Sequence, residues 1–186
     1  MTIPSAPQYQ PGPQQPQQPL GTTNVDDVTL PYYGASFGQA IKRFFKQYAN
    51  FTGRASRSEY WWVALFQVLV LLIPGILMFV GIGMAASATA AGMSYDSMGN
   101  LTTSGVDQAA AGTGAILMFV GGGLSTVISL AILVPTLAIT WRRLHDGNFA
   151  GPFFFLSFIP TVGSIVLLVL LLLPSKVEGQ RFDQGR

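Results

Sequence analysis

The chain contains no cysteine, which excludes disulfides, thiol nucleophiles and thiolate metal sites. It has a single histidine, so a metal site would need a carboxylate cluster, and the sequence offers none. Charge is scarce too. Only 10% of the 186 residues are Asp, Glu, Lys or Arg, less than half the share usual in soluble domains, while 49% are hydrophobic. Ten basic and eight acidic side chains leave a formal charge of +2, too mild to point to a nucleic-acid partner. Residues 1–31 lack the apolar core of a secretory signal, so the first apolar span is expected to direct the chain to a membrane.

What is present divides along the chain. Residues 1–35, with the run Gln8 to Pro19, read as a disordered Pro/Gln-rich cytoplasmic tail, because they lack the apolar surface that offsets ordering entropy. A proline-rich ligand for a partner is the alternative. Residues 36–50 then show a helical period. Ser36 and Gln39 form a capping pattern, and Phe37, Ile41, Phe44, Phe45 and Tyr48 fall within an arc of roughly 100°. Lys42, Arg43 and Lys46 occupy the rest of the wheel, which predicts an amphipathic helix lying in the interface of an anionic leaflet.

Residues 51–175 read as a membrane domain. Phe51 to Trp62 is a charged junction carrying Arg54, Arg57 and Glu59, followed by the interfacial anchors Tyr60, Trp61 and Trp62. Spans are expected at about 61–83, 115–140 and 153–173, each long enough for a hydrocarbon core of about 30 Å. Residues 84–114, with Asp96 and Asp107 and no Lys or Arg, read as an external loop. A second charged junction, Trp141 to Gly147, separates the last two spans and holds Arg142, Arg143, His145 and Asp146, with Trp141 as its anchor.

Ile76 to Gly83 and Ile116 to Gly123 match at seven of eight positions, forty residues apart. Gly81, Gly83, Gly121, Gly122, Gly123 and Ser125 are therefore expected to let antiparallel spans approach closely. Pro160 and Gly163 interrupt the third span, which leaves a re-entrant hairpin as the alternative to a full crossing. Positive residues place the N-terminus and both junctions on the cytoplasmic side. Three crossings would put Lys176, Arg181 and Arg186, in the polar tail 176–186, outside; a hairpin would keep them in.

The two junctions resemble those of the YhaH-like bacterial inner-membrane family, known as domain-of-unknown-function 805. That family pairs a Phe-x-Gly-Arg-x-x-Arg-x-Glu-Tyr-Trp motif, here Phe51, Gly53, Arg54, Arg57, Glu59, Tyr60 and Trp61, with Arg-Arg-Leu-His-Asp, here Arg142 to Asp146. The resemblance covers about residues 37–183. It implies a small integral protein of the bacterial cytoplasmic membrane, and the family has no established activity to carry over. The sequence departs from the family pattern at Asn148, Phe149, Pro152 and Phe153, and again at Gln180 to Asp183.

His145 beside Asp146 looks chemical, yet adjacent helical residues point apart and no further ligands accompany them. The expectation is an all-α integral membrane protein with three transmembrane helices, no cofactor and no enzymatic role. It would act as a scaffold or accessory subunit whose basic face meets anionic lipid or a partner. In the structural reading Arg54 or Arg57 pairs with Asp146, and Glu59 with Arg142 or Arg143; in the lipid reading the four arginines hold a headgroup. The alternative function is an oligomeric channel or small-solute transporter lined by Ser125, Ser129, Thr136 and Thr140, although the spans lack ionisable groups.

Overall fold

The computed structural model describes residues 20–102 and 105–183. Among them run α1 (Phe37–Lys46), α2 (Arg57–Ala91), α3 (Gln108–Asp146) and α4 (Val162–Leu172), with 3₁₀ helices at Gly151–Phe158 and Val177–Asp183. A small antiparallel ladder, β1 (Ser94–Tyr95) with β2 (Leu101–Thr102), closes the far end.

α2 begins at a capping box. The Ser56 hydroxyl accepts from the Glu59 amide at 3.2 Å, and the Glu59 carboxylate accepts from the Ser56 amide at 2.8 Å. α3 begins where Asp107 accepts from the amides of Ala109 and Ala110 at 3.0 Å. With 35 and 39 residues, these helices are about 52 and 58 Å long, well beyond a core of about 30 Å. Their outward side chains are apolar: Val68, Ile73, Phe79, Phe119, Val127 and Leu130 are all at least 63% exposed. In water that surface would be ruinous, and in a bilayer it is the lipid-facing wall.

Both helices overrun the expected spans, so residues 84–91 and 108–114 of the expected external loop are helical. Alanine-rich sequence favours helix whether or not it lies in lipid. α2 and α3 pack as an antiparallel pair through part of the repeat. A Cβ on Gly81 would lie 2.6 Å from the carbonyl of Gly114, and one on Gly121 would lie 2.6 Å from the carbonyl of Pro74. Of the other expected contacts, Gly83 and Gly123 face open space, Gly122 comes near only the Met78 sulfur, and Ser125 is half-buried. The reason is phase: one turn of helix has one face toward its partner.

The N-terminal boundary also differs from expectation. Residues 20–35, expected to be part of a disordered tail, pack on α1 and α2, with buried Ala35 in a core with Ala40, Phe44, Ala55, Val63 and Ile139. The tail's first 19 residues lie outside the described residues. α1 ends at Lys46 rather than Asn50 and keeps Phe37 and Phe45 exposed, as is Tyr48 just after it, while Phe44 is buried.

The third apolar run does not form one long helix. α4 has 11 residues, about 16 Å, half of what a crossing needs. Between the 3₁₀ helix and α4 the chain reverses at Thr161, whose φ of 61° and ψ of −66° close a tight turn in which the Val162 amide donates to the Pro160 carbonyl at 2.7 Å. The returning strand of chain ends beside its starting point, since the Lys176 amide donates to the Asp146 carbonyl at 2.9 Å. Of the two readings open from sequence, these contacts fit the hairpin. Of the polar tail, residues 176–183 are docked, with the Gly53 amide donating to the Phe182 carbonyl at 3.0 Å and Gly179 buried, while residues 184–186 lie outside the described residues.

Candidate functional site: a buried charged junction

Five segments meet where α2 begins and α3 ends: residues 20–35, α1, the Phe51–Trp62 junction, the end of α3, and residues 175–183. Two carboxylates organise them. Glu59, fixed in the first turn of α2 by the capping box, also accepts from the Tyr32 amide at 3.1 Å and holds the Arg43 guanidinium at 2.5 Å. Arg43 in turn donates to the carbonyls of Asp27 at 2.5 Å and Leu30 at 2.7 Å. The arginine expected on the exposed basic face of α1 is thus buried and pins the preceding segment.

Asp146 is the second centre. Its carboxylate accepts from Arg143, one turn back on α3, from the Ser175 hydroxyl after α4, and from the Tyr33 hydroxyl at 3.0 Å. Arg54 lies 3.7 Å from it and donates to Asp183 at 2.7 Å and to the Leu20 carbonyl at 2.7 Å. Arg143 also donates to the carbonyls of Leu171, at 3.1 Å, and Leu173. These two carbonyls end α4, so the same guanidinium satisfies orphan groups of one helix while neutralising a carboxylate of another. Burial, then the nearby Asp146 charge, pushes the Tyr33 phenol up to about 12. Burial pulls Arg54 down, but its bonds to Asp183 and the Asp183 and Asp146 charges outweigh this and hold it above its ordinary value.

His145 points away from Asp146, as helical geometry requires. Its Nδ1 bonds the Gly53 carbonyl at 2.9 Å, and its ring stacks on Phe182 at 3.9 Å between centroids. Arg142 bonds Gln47 of the segment after α1 and the Ala138 carbonyl. Trp141 sits edge-on to Phe51 and Phe155, joining the first junction to the hairpin. Tyr60 is half-buried, and Trp61 and Trp62 are partly exposed, Trp62 meeting Phe37 of α1 edge-on.

The structure therefore brings Arg54, Arg143 and Asp146 together and seats Glu59 apart from them. Glu59 takes Arg43 in place of Arg142 or Arg143, because Arg43 approaches from α1 directly over the start of α2. The four arginines expected to converge on a headgroup do not do so: Arg54, Arg142 and Arg143 are buried on internal partners, and Arg57 is exposed. Arg43, expected only on the exposed face of α1, and Asp183, noted only as a departure from the family pattern, join the site together with Tyr33 and Ser175, which the sequence did not single out. Of the hydroxyls considered for a pore, Thr136 and Thr140 donate to carbonyls of their own helix at 2.6 and 2.7 Å, and Thr136 also accepts from Gln67 of α2 at 2.6 Å. Among the described residues, no three His, Asp or Glu side chains are grouped to hold a metal ion.

The sequence profile of the family described as protein of unknown function, DUF805, matches residues 48–184. The chain belongs to this family. Among similar chains, inner membrane protein YhaI of Escherichia coli K12 is 29% identical over 124 residues, covering 67% of this chain and 75% of that one. Inner membrane protein YhaH of the same strain is 26% identical over 127 residues, covering 68% and 78%. No solved structure matches the chain. The DUF805 match takes in both junctions, the helix pair and the hairpin, and leaves out α1 with Arg43. The protein is accordingly an all-α membrane protein of a family without an assigned activity.

Proposed function

We propose that this DUF805 chain is a non-enzymatic scaffold or accessory subunit of the bacterial cytoplasmic membrane, with its N-terminus and both junctions on the cytoplasmic side. One observation carries the reading: the charged motif residues Arg54, Glu59, Arg143 and Asp146 spend their hydrogen bonds inside the protein, on Arg43, Tyr33, Ser175, Asp183, each other and backbone carbonyls and amides, so these four assemble segments. Outside this clasp, Lys42, Lys46, Arg57, Lys176 and Arg181 are exposed on the segments that meet there. Positive side chains favour the cytoplasmic leaflet, and a hairpin keeps Lys176 and Arg181 on the same side as the rest. That basic side contacts anionic lipid or a partner protein.

The test replaces Lys42, Lys46, Arg57, Lys176 and Arg181 with Gln together. Membrane abundance and thermal stability should stay within the range of the parent, while preference for anionic lipid or recovery of a cross-linked partner falls. Retention of both properties would contradict the proposal.

A further inference from the structure

Arg57 stands apart from the other junction arginines. It is exposed at the first position of α2, and none of the ion pairs among the described residues uses it. It overhangs a cleft of about 440 Å³ whose other walls are Ser58, Trp61, Trp62, Leu65 and Leu172. The cleft exists because α4 leans on Leu144 and Tyr60 through Leu167 and Leu171, so its end at Leu172 leaves the Trp61–Leu65 face of α2 uncovered. Both tryptophans and both leucines of the cleft are between 38% and 50% exposed.

Its chemistry is graded along the membrane normal. The cation sits at the level of the junction, the indoles come next, and Leu65 lies about 12 Å deeper, eight residues along the helix. A phosphate at Arg57 with an acyl chain running past Trp61 and Leu65 against Leu172 matches that order. Arginine also binds phosphate oxygens in bidentate fashion. Among the described residues, no carboxylate lines the cleft to receive the ammonium of a zwitterionic headgroup. We propose that the cleft holds one anionic phospholipid of the leaflet on the junction side. This rests on the reading that the basic side meets anionic lipid, and it assigns that contact to a single place.

Tryptophan fluorescence tests it directly, because Trp61 and Trp62 line the cleft while Trp141 packs on Phe51 and Phe155. The full chain is reconstituted in phosphatidylcholine bilayers containing chain-brominated phosphatidylglycerol or chain-brominated phosphatidylcholine, and quenching gives the relative affinity. The expected preference for phosphatidylglycerol is about five-fold, the effect of one cation at an anionic surface. Arg57→Gln should bring it close to one, and Arg57→Lys should keep part of it. Leu172→Phe, which fills the cleft with Arg57 intact, should also lower it, as a plain surface charge would not. An unchanged preference in Arg57→Gln overturns the cleft. If the preference then disappears only in the five-residue basic variant, the broader lipid reading survives without it; a parent chain with no preference sinks the lipid contact in both forms.

Discussion

Asp146 accepts from Arg143, Ser175 and Tyr33 with Arg54 at 3.7 Å, so deleting its carboxylate leaves buried guanidinium groups uncompensated. Breaking such a buried pair from one side costs about 3–5 kcal/mol, more than a surface pair could. Asp146→Ala is therefore expected to lower unfolding free energy by about that amount in a detergent titration followed by circular dichroism. A loss under 1 kcal/mol, about what a surface pair is worth, would show that the carboxylate is not the organising group. Tyr33 adds a pH dependence. Its folded value of about 12 exceeds the ordinary 10, so the native state holds the phenolic proton more tightly. The resulting stability is complete below pH 10 and is lost as pH rises through about 12. Thermal unfolding measured across that window should decline for the parent and flatten in Tyr33→Phe. Arg43 shows why this scale is hard to read from sequence. It stands next to Lys42 on a wheel that looks solvent-facing, and its carboxylate lies 16 residues on, on another helix. Composition and periodicity carry no record of that pairing.

At the scale of elements, the helix pair separates glycines that look alike in sequence. A side chain on Gly121 meets the backbone of α2, whereas one on Gly83 meets nothing within 4 Å. Gly121→Ala should destabilise by about 1–3 kcal/mol through overpacking, and Gly83→Ala should be neutral or slightly stabilising through helix propensity. The same detergent titration reads both, and equal effects would contradict the packing described. The eight-residue repeat was legible as a close-approach motif, because small residues in apolar spans serve few other ends. Which glycines faced the partner was not, since the relative rotation of two helices depends on contacts along their whole length. The amphipathic helix was legible for a similar reason: period and capping are local. Its packing on the start of α2 was not, because aromatic side chains at helical spacing suit lipid and protein equally.

Across the whole molecule, the clasp ties together segments from both ends of the described chain. Arg54 reaches Leu20 and Asp183, and Arg143 reaches the end of α4. The two long spans and both junctions were legible because uncharged runs and arginines at their ends are the coarse signals of a bilayer. The course of the last third was ambiguous from sequence, since Pro160 and Gly163 allow either a kinked crossing or a turn. Its short α4, the strained turn at Thr161 and the Lys176 to Asp146 bond distinguish the two, and all three arise only in the folded chain. The last third of the chain thus leaves and rejoins one charged junction. A reporter fused after Arg186, compared with the same reporter fused before Met1, tests this most directly. Both should read as cytoplasmic, and a C-terminal reporter found on the opposite face from the N-terminal one would contradict the account.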